Sequence, residues 1–94
     1  MAEPLYLVAY DVTSPRRWRR VYRLLQGYGE WVQLSLFQCR LDRFRRRRLE
    51  SELAQLIDMR RDRVLIARVA PGGERPLASL GPPVVPLRRV TLIL

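Results

Sequence analysis

The sequence has no histidine, no lysine and a single cysteine, Cys39, among its 94 residues. One cysteine excludes a disulfide within the chain, and the lack of histidine excludes histidine-based acid–base catalysis and the usual zinc clusters. Any metal ion bound by one chain must therefore be held by oxygen atoms. All 18 basic residues are arginine, and against nine acidic residues they give a formal net charge of +9. Such a surplus favours nucleic acid or another polyanion as a partner.

Long hydrophobic runs are absent as well. No segment approaches the roughly 18 apolar residues that a membrane-spanning helix needs, and residues 1–4 lack the basic start of a signal peptide. We therefore expect a cytoplasmic protein with no membrane association. The length predicts a single domain, residues 1–94. A domain this short buries only about 60 to 65% of its unfolded surface, so a partner subunit would help to stabilise it.

The segment from residue 5 to residue 15 contains the first functional candidate. Its β-forming residues predict a strand with two apolar faces, and hence a central strand covered on both sides. The strand ends in the carboxylate of Asp11, and Thr13 or Ser14 is placed to cap a helix that starts near Pro15. An acid beside a helix N-terminus and several arginines is suited to chemistry on phosphates. The alternative is that Asp11 is a turn or capping residue.

Residues 15–28 predict an amphipathic helix, because their apolar residues recur every three or four positions. Gly27 and Gly29 follow this stripe, and either is expected to provide a left-handed C-cap. No acidic residue lies between Ser14 and Gly29. The basic side of the helix is therefore either an ordinary solvated face or a stripe that binds phosphates. That side is formed by Arg16, Arg19, Arg20 and Arg23.

The next segment, residues 30–41, is rich in aromatic and branched side chains and contains neither glycine nor proline. Its length favours two short strands joined by a tight turn around Ser35, although one strand with a bulge would give the same pattern. Trp31 and Phe37 are either core residues or exposed rings on which bases stack.

A second arginine cluster opens the next predicted helix, at about residues 43–58, for which Asp42 is a suitable N-cap. Cations near a helix N-terminus oppose the helix dipole, so their number here indicates an anionic partner. Ion pairs with Glu50 and Glu52, one helical turn further on, would occupy some of these arginines. The cluster consists of Arg43, Arg45, Arg46, Arg47 and Arg48.

After a polar turn at residues 58–62, residues 63–69 alternate and predict another strand. The resulting order predicts an α+β protein with a ferredoxin-like βαββαβ sandwich, in which both helices cover one face of an antiparallel sheet. Residues 71–89 are rich in proline and glycine and predict an irregular connector. Residues 90–94 predict an extra C-terminal strand, which is expected to pair with a second subunit and so to form a homodimer.

Three short motifs, by their order and spacing, resemble the CRISPR-associated protein 2 family. They are YLVAYDVTSP, in which Tyr10 and Asp11 close the first strand, RRVYRLLQGYG, with Arg20 and Val21, and VQLSLFQCRL, with Val32, Gln33, Ser35 and Phe37. The resemblance covers roughly residues 5–69. Proteins of that family are small ferredoxin-like homodimers of the CRISPR spacer-acquisition machinery, and their C-terminal strand pairs with the partner's sheet.

The resemblance implies that Asp11 faces its twin across the dimer and binds a divalent ion, Mg²⁺ or Mn²⁺, for phosphodiester cleavage. It also implies that Tyr10, Ser35 and Phe37 line the cleft beside it. The start of the first helix matches a basic, nucleic-acid-binding region of the family, and we interpret the second arginine cluster in the same way. The predicted nucleic-acid-binding residues are Arg16, Arg17, Arg19, Arg20, Arg23, Arg45, Arg46, Arg47 and Arg48.

Several functions stay open at this point. The first is a metal-dependent endonuclease that hydrolyses RNA or DNA in spacer acquisition, with Asp11 as the catalytic metal ligand. The second, also implied by the resemblance, is a non-catalytic DNA-binding scaffold that bridges two copies of the larger CRISPR-associated integrase. A third, an RNA-binding module of the same fold, would expose aromatic rings on the free face of the sheet. The apolar character of Tyr6, Val8 and Tyr10 favours burial of that face by another protein instead.

Overall fold

The computed structural model describes residues 3–69 and 80–81, and within them the elements follow the predicted βαββαβ order. The α+β, ferredoxin-like arrangement is thereby confirmed. The predicted connector, apart from Leu80 and Gly81, and the predicted C-terminal strand at 90–94 lie outside the described residues. The elements are β1 (Leu5–Asp11), α1 (Pro15–Gln26), β2 (Glu30–Gln33), β3 (Leu36–Arg40), α2 (Arg43–Leu56) and β4 (Arg63–Arg68).

The strand β1 lies in the middle of a four-stranded antiparallel sheet with the order β2-β3-β1-β4. Val8 of β1 is opposite Phe37 of β3 on one side and Ile66 of β4 on the other. Because directly opposed residues of antiparallel strands share a face, these three side chains lie on the same side of the sheet. The turn between β2 and β3 is tight, as predicted, and Leu34 adopts a φ of 40° there.

Both helices pack on one face of the sheet, and the core lies between the two layers. In β1 this face carries Tyr6, Val8 and Tyr10, all of them buried. The prediction that β1 is covered on both sides is not met within the described residues, where Leu7 and Ala9 on the opposite face are half-buried. The prediction that Tyr6, Val8 and Tyr10 form the free face is wrong, because alternation defines two faces without saying which one the helices cover. The helices contribute Val21, Tyr22, Leu25, Leu49 and Leu53 to the core.

The N-termini of both helices follow the predicted capping chemistry. Ser14 accepts a hydrogen bond at Oγ from the backbone N–H of Arg17, at 3.3 Å. Asp42 accepts one at Oδ1 from the backbone N–H of Arg45, at 2.7 Å. Each cap satisfies a backbone donor that has no partner inside the helix.

Neither α1 nor α2 is long and apolar enough to cross a membrane.

Position 29 requires glycine because there is no space for a side chain, and not because of its backbone conformation. The left-handed C-cap predicted at Gly27 or Gly29 is wrong, because Gly27 ends α1 with a φ of −80° and Gly29 does not have a positive φ. A Cβ added at Gly29 would lie 2.8 Å from the Cα of Cys39 and would also collide with the carbonyl oxygen of Gln38. The α1–β2 turn thus passes directly against the backbone of β3.

We expect Gly29→Ala to destabilise the protein by about 1 to 3 kcal/mol, since two of the colliding atoms belong to the backbone and the third is the sulfur of the buried Cys39. Each kcal/mol corresponds to roughly 4 to 8 °C in Tm for a domain of this size. The control is Gly27→Ala, whose added Cβ would come no closer than 3.4 Å to any other atom. Thermal melts followed by circular dichroism will compare the two. Equal Tm values for both variants would contradict the close approach.

Candidate functional site

Asp11 is the last residue of β1, and its side chain is exposed. Alternation along the strand places it on the face opposite the helices, in line with Leu7 and Ala9. Its partner in the ladder with β4 is Arg63. None of the ion pairs found among the described residues includes Asp11. Its carboxylate is therefore exposed at the end of β1 and not paired with a cation among the described residues.

The sheet face opposite the helices, which we call the free face, is largely apolar. In the register of the sheet, Ala9 lies opposite Leu36 of β3 and Leu65 of β4, and Leu7 lies opposite the polar Gln38 of β3 and Ala67 of β4. Leu65 is 61% exposed. An exposed apolar face is a candidate surface for contact with another molecule.

The loop that follows Asp11 is fixed by a carboxylate from the α2–β4 turn. The side chain of Asp62 has no accessible surface and accepts hydrogen bonds from the backbone N–H groups of Thr13, at 3.0 Å, and Asp58, at 2.8 Å. The guanidinium of Arg17 donates to both of its oxygens, at 2.7 and 3.1 Å. We call these four residues the Asp62 clamp. Because Thr13 lies two residues after Asp11, the clamp holds the loop that directly follows the candidate metal ligand.

Arg17, which was predicted to bind nucleic acid, is used inside the protein. Besides its two bonds to Asp62, its guanidinium donates to Oγ1 of Thr13 at 3.1 Å. The hydrogen bond from Arg17 holds the pKa of the Asp62 carboxyl well below its usual range and raises the pKa of Arg17 itself. Both groups therefore stay charged at neutral pH. The structure places Arg17 in the clamp, so its guanidinium is occupied within the protein.

We expect Asp62→Asn to lower the Tm by several degrees at neutral pH and to flatten the loss of stability in acid. The pKa of Asp62 is lower in the folded than in the unfolded state. Its contribution is therefore fully present above about pH 5 and is lost as the pH falls below the unfolded value of about 3.9. Thermal melts across the acid range will show this, with Glu30→Gln, at an exposed carboxylate outside the clamp, as the control. Identical acid profiles of the parent and Asp62→Asn would rule out the clamp.

The remaining arginines at the start and middle of α1 form an exposed row. None of them takes part in an ion pair within residues 3–69, and α1 contains no acidic residue. The row therefore presents unbalanced positive charge, which suits contact with the phosphate backbone of a nucleic acid. This α1 arginine row consists of Arg16, Arg19, Arg20 and Arg23.

Two of the predicted arginines of α2 are turned back onto the protein. The guanidinium of Arg45 lies over the ring of Tyr28, 5.2 Å from its centroid. Arg46 forms an ion pair with Glu50 at 3.0 Å and lies 6.0 Å from the centroid of the Tyr6 ring. Contacts of this kind stabilise the fold modestly. They also leave these two guanidinium groups less available to a ligand.

The other two predicted arginines of α2 are exposed. Nε of Arg48 lies 3.9 Å from a carboxylate oxygen of Glu52, but the Arg48 side chain is 74% exposed, so the pair is weak. Arg47 takes part in no ion pair among the described residues. The predicted pairing with acids one turn further along α2 is confirmed, while Arg47 and Arg48 stay exposed to solvent.

The three residues predicted to line a cleft beside Asp11 lie on the helix side of the sheet or in a turn. Phe37 has no exposed surface, and its ring centroid is 6.2 Å from that of Tyr10, so the core interpretation of Phe37 is confirmed. Burial raises the pKa of the Tyr10 hydroxyl. Ser35 accepts a hydrogen bond at its hydroxyl from Nε1 of Trp18, at 3.0 Å. Within one protomer these side chains support the sheet from the side opposite Asp11.

The donors available to a metal ion are few. The described residues contain no group of three or more acidic, histidine or cysteine side chains placed to hold one. Mg²⁺ is commonly bound by one or two carboxylates together with water and substrate phosphates, so the exposed Asp11 fits Mg²⁺ or Mn²⁺. A second copy of the chain would supply a second carboxylate. Cys39 is not an alternative ligand, because burial raises the pKa of its thiol to about 11.

Asp62 was not among the predicted functional residues, because residues 58–62 have the composition of an ordinary polar turn. Its main partner, Arg17, lies 45 residues earlier in the chain. The only indication in the sequence of a distant acidic partner was that α1 has no acid of its own to balance its arginines. That observation identifies neither the acid nor the arginine that it contacts.

Comparison with known proteins independently supports the resemblance to the CRISPR-associated protein 2 family. Residues 4–73 match the family model described as CRISPR associated protein Cas2. The chain is 47% identical over 95 residues to CRISPR-associated endoribonuclease Cas2 1 of Rhodospirillum rubrum, with 99% of this chain and 93% of the relative covered. It is similar to the crystal structure of Streptococcus pyogenes Cas2, with a TM-score of 0.74, 30% identity, and coverage of 82% and 99% of the two chains. A chain in a partial Cas6-RT-Cas1–Cas2 complex shares the fold, with a TM-score of 0.65, 24% identity, and coverage of 87% and 98%.

Proposed function

The chain belongs to the CRISPR-associated protein Cas2 family, and we propose that it is a divalent-metal-dependent endonuclease that acts on RNA or DNA in spacer acquisition. The observation that carries this proposal is the exposed Asp11 carboxylate, which forms no ion pair among the described residues and precedes the α1 arginine row. The name of the Rhodospirillum rubrum relative, an endoribonuclease, supports a nuclease role and RNA as a substrate.

In the proposed active form, a second copy of the chain covers the free face. Leu65 is exposed and Leu7 is half-buried in the protomer, so pairing two such faces removes apolar surface from water. Asp11 lies at the border of this face in each copy, and a two-fold axis beside it would bring the two carboxylates to one site. Because like charges repel at close range, a divalent cation between the carboxylates would stabilise the pair.

Asp11, the Asp62 clamp and the α1 arginine row each have a separate role in the proposed reaction. Asp11 would hold a divalent ion, and that ion would supply positive charge beside the phosphate at which water displaces the leaving oxygen. The Asp62 clamp fixes the loop that follows Asp11. The α1 arginine row binds the phosphates on either side of the scissile bond. The proposed metal ligand and the proposed phosphate-binding residues therefore lie on neighbouring segments of the chain.

We expect the fourfold alanine variant of the α1 arginine row to bind duplex DNA more weakly and with less dependence on salt. Each phosphate contact contributes roughly 0.9 to the slope of log affinity against log salt, so four contacts would reduce the slope by up to about 3.6. Fluorescence anisotropy at several salt concentrations measures the slope. Arg17→Ala is the control, since that arginine is held in the clamp and its loss should change stability but not slope. An unchanged slope in the fourfold variant would show that the α1 arginine row takes no part in binding.

A second candidate is a non-catalytic DNA-binding scaffold that bridges copies of the larger CRISPR-associated integrase. The observation that favours it is the small number of donors: the described part of the chain holds no group of three or more acidic, histidine or cysteine side chains placed to bind a metal ion. The arginine surface would serve this function equally well, because phosphate contacts position a nucleic acid without reading its sequence.

Cleavage assays on single-stranded RNA and on duplex DNA distinguish the two functions. We expect the purified protein to cleave in Mg²⁺ or Mn²⁺, to stop in excess EDTA and to recover when the ion is restored. Binding of duplex DNA without cleavage of either nucleic acid, in both metals, would overturn the endonuclease proposal and support the scaffold.

A further inference from the structure

Phe44 is the most exposed large hydrophobic residue within the described helices and strands, with 85% of its surface accessible. It lies in the first turn of α2, whose buried residues are Leu49 and Leu53, so its ring takes no part in the core. Single exposed hydrophobic residues are common and need no special explanation. What distinguishes Phe44 is the charge that surrounds it.

The ring of Phe44 stands among exposed cations. Arg47 and Arg48 follow it by three and four residues and so lie on the same side of the helix, one turn away. The three side chains line a shallow surface depression of about 630 Å³, to which Asp42 and Arg45 also contribute. Asp42 is already committed, because its carboxylate caps α2. The depression therefore combines an aromatic ring with positive charge that its own residues do not balance.

Arg47 and Arg48, beside Phe44, differ from the neighbouring arginines in that their charge is largely unpaired. Arg45 and Arg46 contact Tyr28 and Glu50, whereas Arg47 has no ion pair within the described residues and Arg48 has a weak one. The occupant of this surface must therefore offer both negative charge and a flat or apolar group.

We propose that this surface binds an unpaired nucleotide of single-stranded RNA or DNA, with its base on the ring of Phe44 and its phosphates on Arg47 and Arg48. Single strands present a π face and a phosphate at every nucleotide, and proteins bind them by combining aromatic rings with a basic groove. A duplex hides its base faces in the stack and would use the arginines alone. The inference rests on the proposed function and adds to it a base-binding position at the start of α2.

The test is equilibrium binding by fluorescence anisotropy, in EDTA, to a labelled oligo-uridine and to a blunt duplex of equal phosphate number. Phe44→Ala is expected to weaken binding to the single strand by about 5- to 150-fold and to leave binding to the duplex unchanged. Phe44→Trp, which keeps a stacking ring, is expected to retain single-strand affinity. The control is Leu34→Ala, which removes an equally exposed apolar side chain in the β2–β3 turn, outside both arginine clusters.

The outcomes separate cleanly. Unchanged single-strand affinity in Phe44→Ala overturns the inference, as does an equal loss for single strand and duplex, or a loss of the same size in Leu34→Ala. Failure of Phe44→Trp to retain affinity while circular dichroism shows an intact fold also overturns it. In each of these cases the proposed function stands if the parent still cleaves in the presence of metal. Absence of that cleavage overturns the proposed function instead, while binding in EDTA still tests Phe44.

Discussion

Asp11→Asn is expected to lose metal-dependent cleavage by at least about 100-fold. Asparagine keeps the shape of the side chain but removes the charge that would hold a divalent ion. Changes to residues that merely surround a metal ligand already cost about 10- to 100-fold, so loss of the ligand itself should cost no less. The exposed position of Asp11 at the end of β1 predicts that the fold and binding by the α1 arginine row are unchanged.

Single-turnover cleavage at saturating Mg²⁺ measures this effect, with anisotropy and circular dichroism on the same preparations. Glu30→Gln is the control, since it removes an equal charge from an exposed carboxylate at the edge of the sheet. Full cleavage by Asp11→Asn would assign the activity to another residue or to a contaminant. A variant that no longer folds or dimerises would instead show that Asp11 is a structural turn residue.

Leu65→Glu is expected to convert the proposed dimer into monomers at micromolar concentration. Leu65 is 61% exposed in the protomer, so the substitution costs the fold of one chain little. In the dimer it would bury two unpaired carboxylates between apolar faces, at several kcal/mol for each ion. Every 1.4 kcal/mol weakens association tenfold, so the loss should exceed a thousandfold. Cleavage should disappear with the dimer, because a monomer presents a single Asp11.

Sedimentation velocity across a dilution series measures the association. Leu34→Glu provides the comparison, because Leu34 is 78% exposed but lies in the β2–β3 turn, off the free face. A dimer of undiminished strength in Leu65→Glu would show that the copies associate through another surface.

Features that depend on neighbouring residues were predicted correctly from the sequence. Ser14 and Asp42 cap the two helices, and Glu50 pairs with the arginine one turn before it. Each of these contacts spans three or four residues, so local spacing is enough to predict it. The end of β1 at Asp11 follows in the same way from the change from β-forming residues to turn residues.

Features that depend on distant contacts were not predictable. Alternation showed that β1 has two faces, but the choice of the Tyr6 face for the helices depends on how α1 and α2 dock. Arg17 was grouped with the nucleic-acid-binding arginines because nothing in its neighbourhood indicated Asp62. Helical periodicity placed Gly29 near the end of α1. It gave no indication that Gly29 packs against the backbone of β3.

The place of β1 in the sheet also has a consequence for synthesis on the ribosome. Within the described residues β1 pairs with β3 and β4 and not with its neighbour β2, whereas β2 and β3 can pair as a local hairpin. Arg63, where β4 begins, follows Asp11 by about 52 residues, which at about 5 to 20 residues per second corresponds to roughly 3 to 10 s of translation. Throughout that interval the loop after Asp11 lacks both β4 and the Asp62 carboxylate. The candidate metal site is therefore encoded early in the chain and can form only after β4 has been synthesised.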